Sequence, residues 1–261
     1  YVSEEDGGLR HISFGKPDEI QSTVRLGHPE ELIYPYARTV LTALAFLEEI
    51  PEDMACLGLG GGSLPMFFRH FHPDMRIDVV EIDPKVAQLA EDYLEYKPGP
   101  KMNTITMDGR VFLRRTDRAY DLIILDAYNT HTIPFHLTTL EFLETVRERL
   151  KPGGVAVAHI WAKEKNPYID SQAATYLAVF DYLYLFRAPQ SGSYLFVARN
   201  DGRIKSPHAL LDRAREIDAS SGYPFELTPL VKHQRAPITP GMRDAPVLTD
   251  DHAPVNLLRR Q

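Results

Sequence analysis

A chain of 261 residues, 44% hydrophobic and 25% charged, suits one large globular domain, or one domain with a small appendage, and no stretch approaches the ~20 apolar residues of a membrane span. With 36 acidic against 29 basic residues the net charge is −7, which argues against a nucleic-acid partner, because a phosphate backbone rewards a basic face. The single cysteine, Cys56, excludes an intrachain disulfide and a cysteine-rich zinc site, and a reducing cytoplasmic setting follows as the default.

Residues 9–14 and 19–26 read as strands, and residues 36–47 as a helix. Residues 1–50 are therefore expected to form a small β appendage with a leading helix. From residue 51 to 200, apolar β-rich runs alternate with helical patterns. Strands are expected at 54–60, 76–83, 103–108, 120–126 and 155–161, with helices at 63–72, 84–96 and 138–150 between them. The stretch "KPGG" at 151–154 reads as the stop of the last of these helices. A further helix at 168–180 precedes a hairpin of residues 182–187 and 193–198 around Pro189 and Gly192. Residues 201–261 hold a helix at 209–219 and a proline-rich tail ending "LTDDHAPVNLL", packed on the same domain. The chain begins with Tyr1 rather than Met, which reads as a processed or trimmed chain, the soluble part of a longer protein remaining open.

Alternation at this spacing implies an α/β fold with a mainly parallel sheet covered on both faces, and the hairpin adds an antiparallel edge. The pattern resembles the Rossmann-like, seven-stranded sheet of S-adenosylmethionine-dependent transferases.

In such sheets the ligand sits at the carboxyl ends of the strands, where strand order reverses. The stretch "CLGLGGGSLP" occupies the turn after the first of these strands. It lacks the Gly-Lys-Ser/Thr ending of a phosphate loop, and the sixth position of a dinucleotide fingerprint counted from Gly58 is Ser63, not glycine. Gly58, Gly60 and Gly62 remain as a turn suited to a nucleoside without pyrophosphate, or simply to a tight strand–helix junction. Glu81 ends the next strand at about the distance expected for a ribose acceptor, ~20 residues on. Asp108, followed by Gly109, ends the third strand and can accept from an adenine amino group; Asp126 ends the fourth. One strand-end acid is commonly a helix cap, a reading that suits Asp83 before Pro84, but three such acids beside a glycine turn point to an adenosine site.

The segments "GLGGGSLP", "VVEID", "MDGR", "DLIILDAYN" and "LKPGGVAVAHIW", in this order and spacing, resemble the spermidine synthase (polyamine aminopropyltransferase) family, and "LTDDHAPV" resembles the tail of its bacterial branch. The resemblance implies that Gln21, Glu81, Asp108 and Gly109 contact the nucleoside and that Asp126 takes a proton from the attacking amine. It implies transfer of an aminopropyl group from decarboxylated S-adenosylmethionine to an amine acceptor. No cofactor is held permanently; decarboxylated or intact S-adenosylmethionine is a co-substrate. It also implies a homodimer or tetramer with no nucleic-acid or membrane partner. The departures are local. Ser63 stands where the family has an aspartate for the aminopropyl ammonium, and Asn129 stands where its second diamine carboxylate lies. Tyr34-Pro35 replaces a tyrosine-glutamine pair, and no tyrosine closely follows Pro189. The nucleoside half of the site thus matches while the cation-gripping half is depleted, and the acceptor stays open.

Tyr34, Tyr128 and Asn129 are the expected substrate contacts, with His131 a further candidate in the loop after Asp126. His70 and His72 lack a third ligand, so no metal is expected. Thr138 or Thr139 is expected to cap the following helix, Trp161 to pack in the core or at the rim, and Asp250 with Asp251 to be a solvated pair rather than acids folded back to supply negative charge. An intact S-adenosylmethionine methyltransferase, which needs no ammonium clamp at Ser63, and a catalytically idle nucleoside-binding module are the alternative readings.

Overall fold

Two sheets organise the chain, whose structure, a computed structural model, describes residues 1–13, 15–128, 133–200 and 205–251. The smaller sheet joins β1 (Val2–Glu5), β2 (Leu9–Ser13) and β3 (Ile20–Arg25) as an antiparallel meander. β1, with the sequence VSEE, has no apolar alternation that would announce it. It pairs with β2 because Gly7 and Gly8, at φ 86° and 75°, turn the chain back tightly.

The expected helix over 36–47 is instead α1 (Pro35–Val40) followed by a tighter 3₁₀ segment, Leu41–Phe46. The Thr39 and Thr42 hydroxyls donate to the carbonyls of Pro35 and Thr39, and every residue of the 3₁₀ segment is buried.

The large sheet then alternates strands and helices: β4 (Asp53–Leu57), α2 (Ser63–Phe71), β5 (Arg76–Glu81), α3 (Pro84–Tyr93), β6 (Met102–Thr106), α4 (Gly109–Arg115), β7 (Tyr120–Leu125), α5 (Leu140–Glu148) and β8 (Leu150–Trp161). It finishes with α6 (Ile169–Val179), β9 (Tyr182–Ala188), β10 (Ser193–Arg199), α7 (Pro207–Ser220), α8 (Thr228–His233), β11 (Arg235–Ala236) and α9 (Pro240–Asp244). The strand order is β11-β9-β10-β8-β7-β4-β5-β6, with β4 to β8 parallel and β10 antiparallel between β8 and β9. The α/β expectation holds, but among the described residues the sheet has eight strands rather than seven. The extra one, β11, is two residues long and pairs with β9, too short to carry a sequence pattern.

"KPGG" is a second correction. α5 already ends before Arg149, and Lys151 to Gly154 run inside β8, where the pairing slips from Tyr120↔Leu150 to Leu122↔Val155 and Gly153 takes φ 80°. The glycines accommodate a bulge rather than a helix stop.

Side chains alternate across the strands, so each face of the sheet has its own core. Met54 and Cys56 of β4 pack with Phe67, Phe68 and Phe186, whereas Ala55 and Leu57 pack with Phe142, Val146 and Phe196. Burial pushes the Cys56 thiol far up, consistent with a packing role. Among the described residues no helix is long and apolar enough to cross a membrane.

The amino ends of the strands are closed by ions. Asp53, 3% exposed, accepts from Arg76 (2.7 Å), Arg118 (2.9 Å) and Lys151 (2.7 Å), and Arg118 also reaches Asp78 at 2.7 Å. Burial works to raise the Asp53 carboxyl, but the three cationic donors outweigh it and hold it at about 2, below the ordinary 3.8. The carboxylate therefore contributes about 2 kcal/mol that is fully present above pH ~4 and lost as pH falls through about 2. Asp53→Ala should lower the unfolding free energy at pH 7 by about 3 kcal/mol, because the cations lose a buried counter-charge. In denaturant titrations the gap from wild type should shrink on approaching pH 2. An unchanged gap there would contradict the assignment.

Candidate active site

Strand order reverses between β4 and β7, and the register sets what meets there. Leu57 pairs with Val80 on one side and Leu125 on the other, so the next residues, Gly58, Glu81 and Asp126, lie level at the carboxyl ends of three neighbouring strands. The β-ladder continues through them: Gly58 N–H donates to Val80 O (2.8 Å) and Asp126 N–H to Leu57 O (2.9 Å). Gly58 has φ 102°, and a Cβ there would stand 2.3 Å from Asp126 O and 2.7 Å from its carbonyl carbon. The backbone of the Asp126 tip thus lies directly against the glycine turn, a contact only a residue without a side chain permits.

The remaining turn glycines have packing reasons. A Cβ at Gly62, φ 82°, would fall 2.5 Å from the Tyr96 ring, and Gly61 N–H donates to the Ser22 hydroxyl at 2.9 Å. A Cβ at Gly60 would stand 3.6 Å from Ser22. The amino-terminal sheet therefore touches the turn through β3. Ser63 opens α2, with its hydroxyl 3.5 Å from Thr23 O, and Gln21 lies on the same strand, half-buried.

Glu81 spans two backbone donors, Leu59 N (3.1 Å) and Asp83 N (3.1 Å), which fixes the carboxylate beside the turn. Ile82 follows it, 64% exposed, an apolar side chain presented at the rim. Asp83 caps α3 by accepting from Lys85 N–H, as expected. Asp108 is a cap as well. It accepts from Val111 N–H at 2.9 Å, and its other oxygen pairs with His136 at 2.7 Å. Burial works to raise its carboxyl, while Val111 and His136 outweigh this and hold it below the usual range. His136 went unnoticed because its partner is 28 residues away and is reached only through the fold. Gly109 sits against Leu57, where a Cβ would approach to 3.1 Å.

Asp126 has both oxygens engaged. The Tyr36 hydroxyl donates to one at 3.1 Å, and His159 Nδ1 lies 2.9 Å from the other. Burial and then the Asp126 charge push the Tyr36 phenol far above its ordinary range, so it remains a donor at neutral pH. The His159 ring stacks on Tyr36 (4.0 Å, 9°), Tyr128 flanks it at 5.0 Å, and Tyr128 stacks on Trp161 at 4.9 Å. Tyr128 is not a solvated loop residue: its hydroxyl donates to His159 O at 2.7 Å. Tyr34 lies 6.0 Å from Tyr36 and shares a hydrogen bond with Thr23 Oγ1, which also meets His11. Asn129 and His131 lie outside the described residues.

Next to the Asp126 tip a narrow, mainly apolar pocket is lined by Leu57, Leu125, Leu137, Phe142, Tyr176 and His159. The expected cap of α5 is Thr139, whose hydroxyl accepts from Phe142 N–H. The expected solvated pair Asp250–Asp251 is exposed, and Asp250 also folds back to accept from two Arg110 nitrogens (2.7 and 2.5 Å) and the Thr139 hydroxyl (2.8 Å). Arg110 follows Gly109 on α4, so the tail braces the helix that Asp108 caps.

Residues 39–189 match the model of the spermine/spermidine synthase domain. Across 98% of its length the chain is 33% identical to a polyamine aminopropyltransferase of Vibrio vulnificus, covering 86% of that relative. The chain belongs to the spermine/spermidine synthase family. Membership makes it a transferase. The fold is shared with a probable spermidine synthase of Corynebacterium glutamicum, with a TM-score of 0.69 at 20% identity over 97% of this chain and 94% of that one. It is also shared with human methyltransferase-like protein 13, solved in complex with SAH, with a TM-score of 0.65 at 26% identity over 73% and 94% of the two chains. The family match runs from α1 to the end of β9, so it takes in the whole glycine turn and the Asp126 tip.

Proposed function

We propose that this member of the family moves an aminopropyl group from decarboxylated S-adenosylmethionine to an amine, with Asp126 as the base. The observation that supports the reading is the level row of Gly58, Glu81 and Asp126, on which Glu81 would be a nucleoside acceptor and Asp126 a proton acceptor on one rim. Glu81 would take the ribose hydroxyls through charge-assisted hydrogen bonds, Ile82 would lie against an adenine face, and Asp108 with Gly109 would meet the adenine edge. Gln21, Gly60, Gly62 and Ser63 would surround the sulfur end from the turn and β3. Tyr34 and Tyr128, with Asn129, would border the acceptor.

The chemistry asks for little beyond placement. A proton of the acceptor's ammonium group passes to the Asp126 carboxylate, and the lone pair so freed attacks the propyl carbon bonded to the sulfonium sulfur. A C–N bond forms, the C–S bond breaks, and its electron pair returns to sulfur, leaving neutral methylthioadenosine and the positive charge on the newly substituted amine. The proton then leaves Asp126 for solvent. Charge at sulfur is annihilated as the bond breaks, so the site needs to align amine and carbon rather than stabilise a new anion.

Ser63 in place of a carboxylate supports a second reading, methyl transfer from intact S-adenosylmethionine, since the turn then offers no anion to a propyl ammonium. Calorimetry with the two donors, followed by turnover on a panel of amines, separates the two. At least about tenfold tighter binding of the decarboxylated donor, with methylthioadenosine released, is the expected result. Tighter binding of the intact donor with methylation of the acceptor would replace the proposal.

A further inference from the structure

Two residues beyond the proposed base complete a chain that neither composition nor spacing announces. His159 Nδ1 is 2.9 Å from Asp126 Oδ1, and His159 Nε2 is 2.9 Å from Ser193 Oγ. Ser193 lies on β10 opposite Trp161, so it is the diagonal neighbour of His159 on the same face of the sheet. The three side chains span β7, β8 and β10, and they meet only because the antiparallel β10 lies beside β8.

An Asp–His–Ser arrangement invites a nucleophilic-serine reading, but exposure runs the wrong way. Ser193 is 4% exposed and His159 buried, whereas the Asp126 side chain is the more open end at 14%. The carboxylate, not the hydroxyl, is the more accessible end of the chain. We propose that His159 and Ser193 are positioning residues that hold the Asp126 carboxylate in the orientation needed to accept the proton of the amine. This rests on the reading of Asp126 as the base.

The hydrogen bonds fix the direction of the chain. An ionised carboxylate only accepts, so His159 donates through Nδ1–H. In the neutral ring of this proposal the Ser193 hydroxyl then donates to Nε2, which holds the Nδ1–H tautomer. The imidazole plane is set by Tyr36 on one face, with Tyr128 beside it. The groups that face it are thus Asp126 from the β7 tip, Tyr36 from α1, Tyr128 from the following loop and Ser193 from β10. With Tyr36 donating to Oδ2 and His159 to Oδ1, the carboxylate plane is pinned, and each oxygen keeps a lone pair for the amine. If Ser193 is removed, the Nε2–H tautomer becomes available. Nδ1 would then turn a lone pair toward the carboxylate, and the base would swing away.

Long-range ¹H–¹⁵N correlation of histidine-labelled protein reads the tautomer without substrate. Wild type should show His159 as Nδ1–H, and Ser193→Ala should show a mixed or reversed tautomer. The same variant should lower kcat about tenfold while the amine KM stays within about threefold, and Ser193→Thr should recover most of kcat. His159→Phe, which keeps the stack and loses both hydrogen bonds, should lower kcat about 100-fold with methylthioadenosine affinity within about threefold. An Nε2–H tautomer in wild type, or near-wild-type kcat in His159→Phe while Asp126→Asn is inactive, overturns the positioning role and leaves the base standing. Full turnover in Asp126→Asn removes the base and this proposal with it.

Discussion

Asp126→Asn should lower kcat by at least about 100-fold, a loss of about 2.7 kcal/mol of transition-state stabilisation, while methylthioadenosine affinity stays within about threefold. Asparagine keeps the shape of the side chain. Its carbonyl oxygen can accept from His159, and its amide can donate to the Tyr36 hydroxyl, so the local hydrogen bonds are replaced rather than abandoned. What is lost is the lone pair that takes a proton. Glu81 and the glycine turn, which carry the proposed nucleoside contacts, are held by separate backbone bonds from Leu59 and Asp83. A steady-state assay with the best amine, paired with calorimetry on methylthioadenosine, measures both. If kcat and affinity fell together, Asp126 would be a structural strut of the pocket. Unchanged kcat would mean that the amine loses its proton to another group or to solvent.

The rim of the site was legible because carboxylates ending apolar runs are an unusual pattern, and parallel strands bring their ends level. Glu81 and Asp126 could be placed from that rule alone. Asp108 shows its limit. A strand-end acid followed by Gly-Arg is equally a helix cap, and capping α4 while pairing with His136 occupies both its oxygens here. The residues converging on Asp126 were out of reach for a different reason. Tyr36 precedes it by 90 residues, His159 follows by 33, and Ser193 is a further 34 beyond His159; each contact depends on strand order and register. A histidine inside the apolar run VAVAHIW was the available hint, since a buried imidazole needs a partner. The tail shows the same limit: Asp250 is exposed, as its sequence suggests, but the Arg110 that supplies its counter-charge lies 140 positions away. "KPGG" carries stop signals that suit a bulge as well as a helix end, and only the strand pairing distinguishes them.

Gly58→Ala should prove the most damaging single-methyl change at the site, because it joins the fold to the chemistry. Its φ of 102° lies outside the left-handed basin that L-residues tolerate, which by itself costs ~1–3 kcal/mol. The added Cβ would also lie 2.3 Å from Asp126 O, with Ala127 N at 3.0 Å, and these are backbone atoms that cannot rotate aside. Relief requires the Asp126 tip to move by about 1 Å, enough to cost on the order of 100-fold in rate when a reacting group is displaced. The variant should therefore lose at least about 3 kcal/mol of stability, about 10 °C in Tm for a chain of this size, and lose kcat even at temperatures where it stays folded. Gly60→Ala supplies the stability comparison: φ is 52°, within the left-handed basin, and the nearest atoms stand 3.6 Å away, so about 1 kcal/mol is expected. Thermal melts of the two variants test the difference directly. Equal, small losses would mean that the Asp126 tip is soft and free to yield. A soft tip could not hold a base in line with an amine, so the melt bears on the mechanism as well as on the fold.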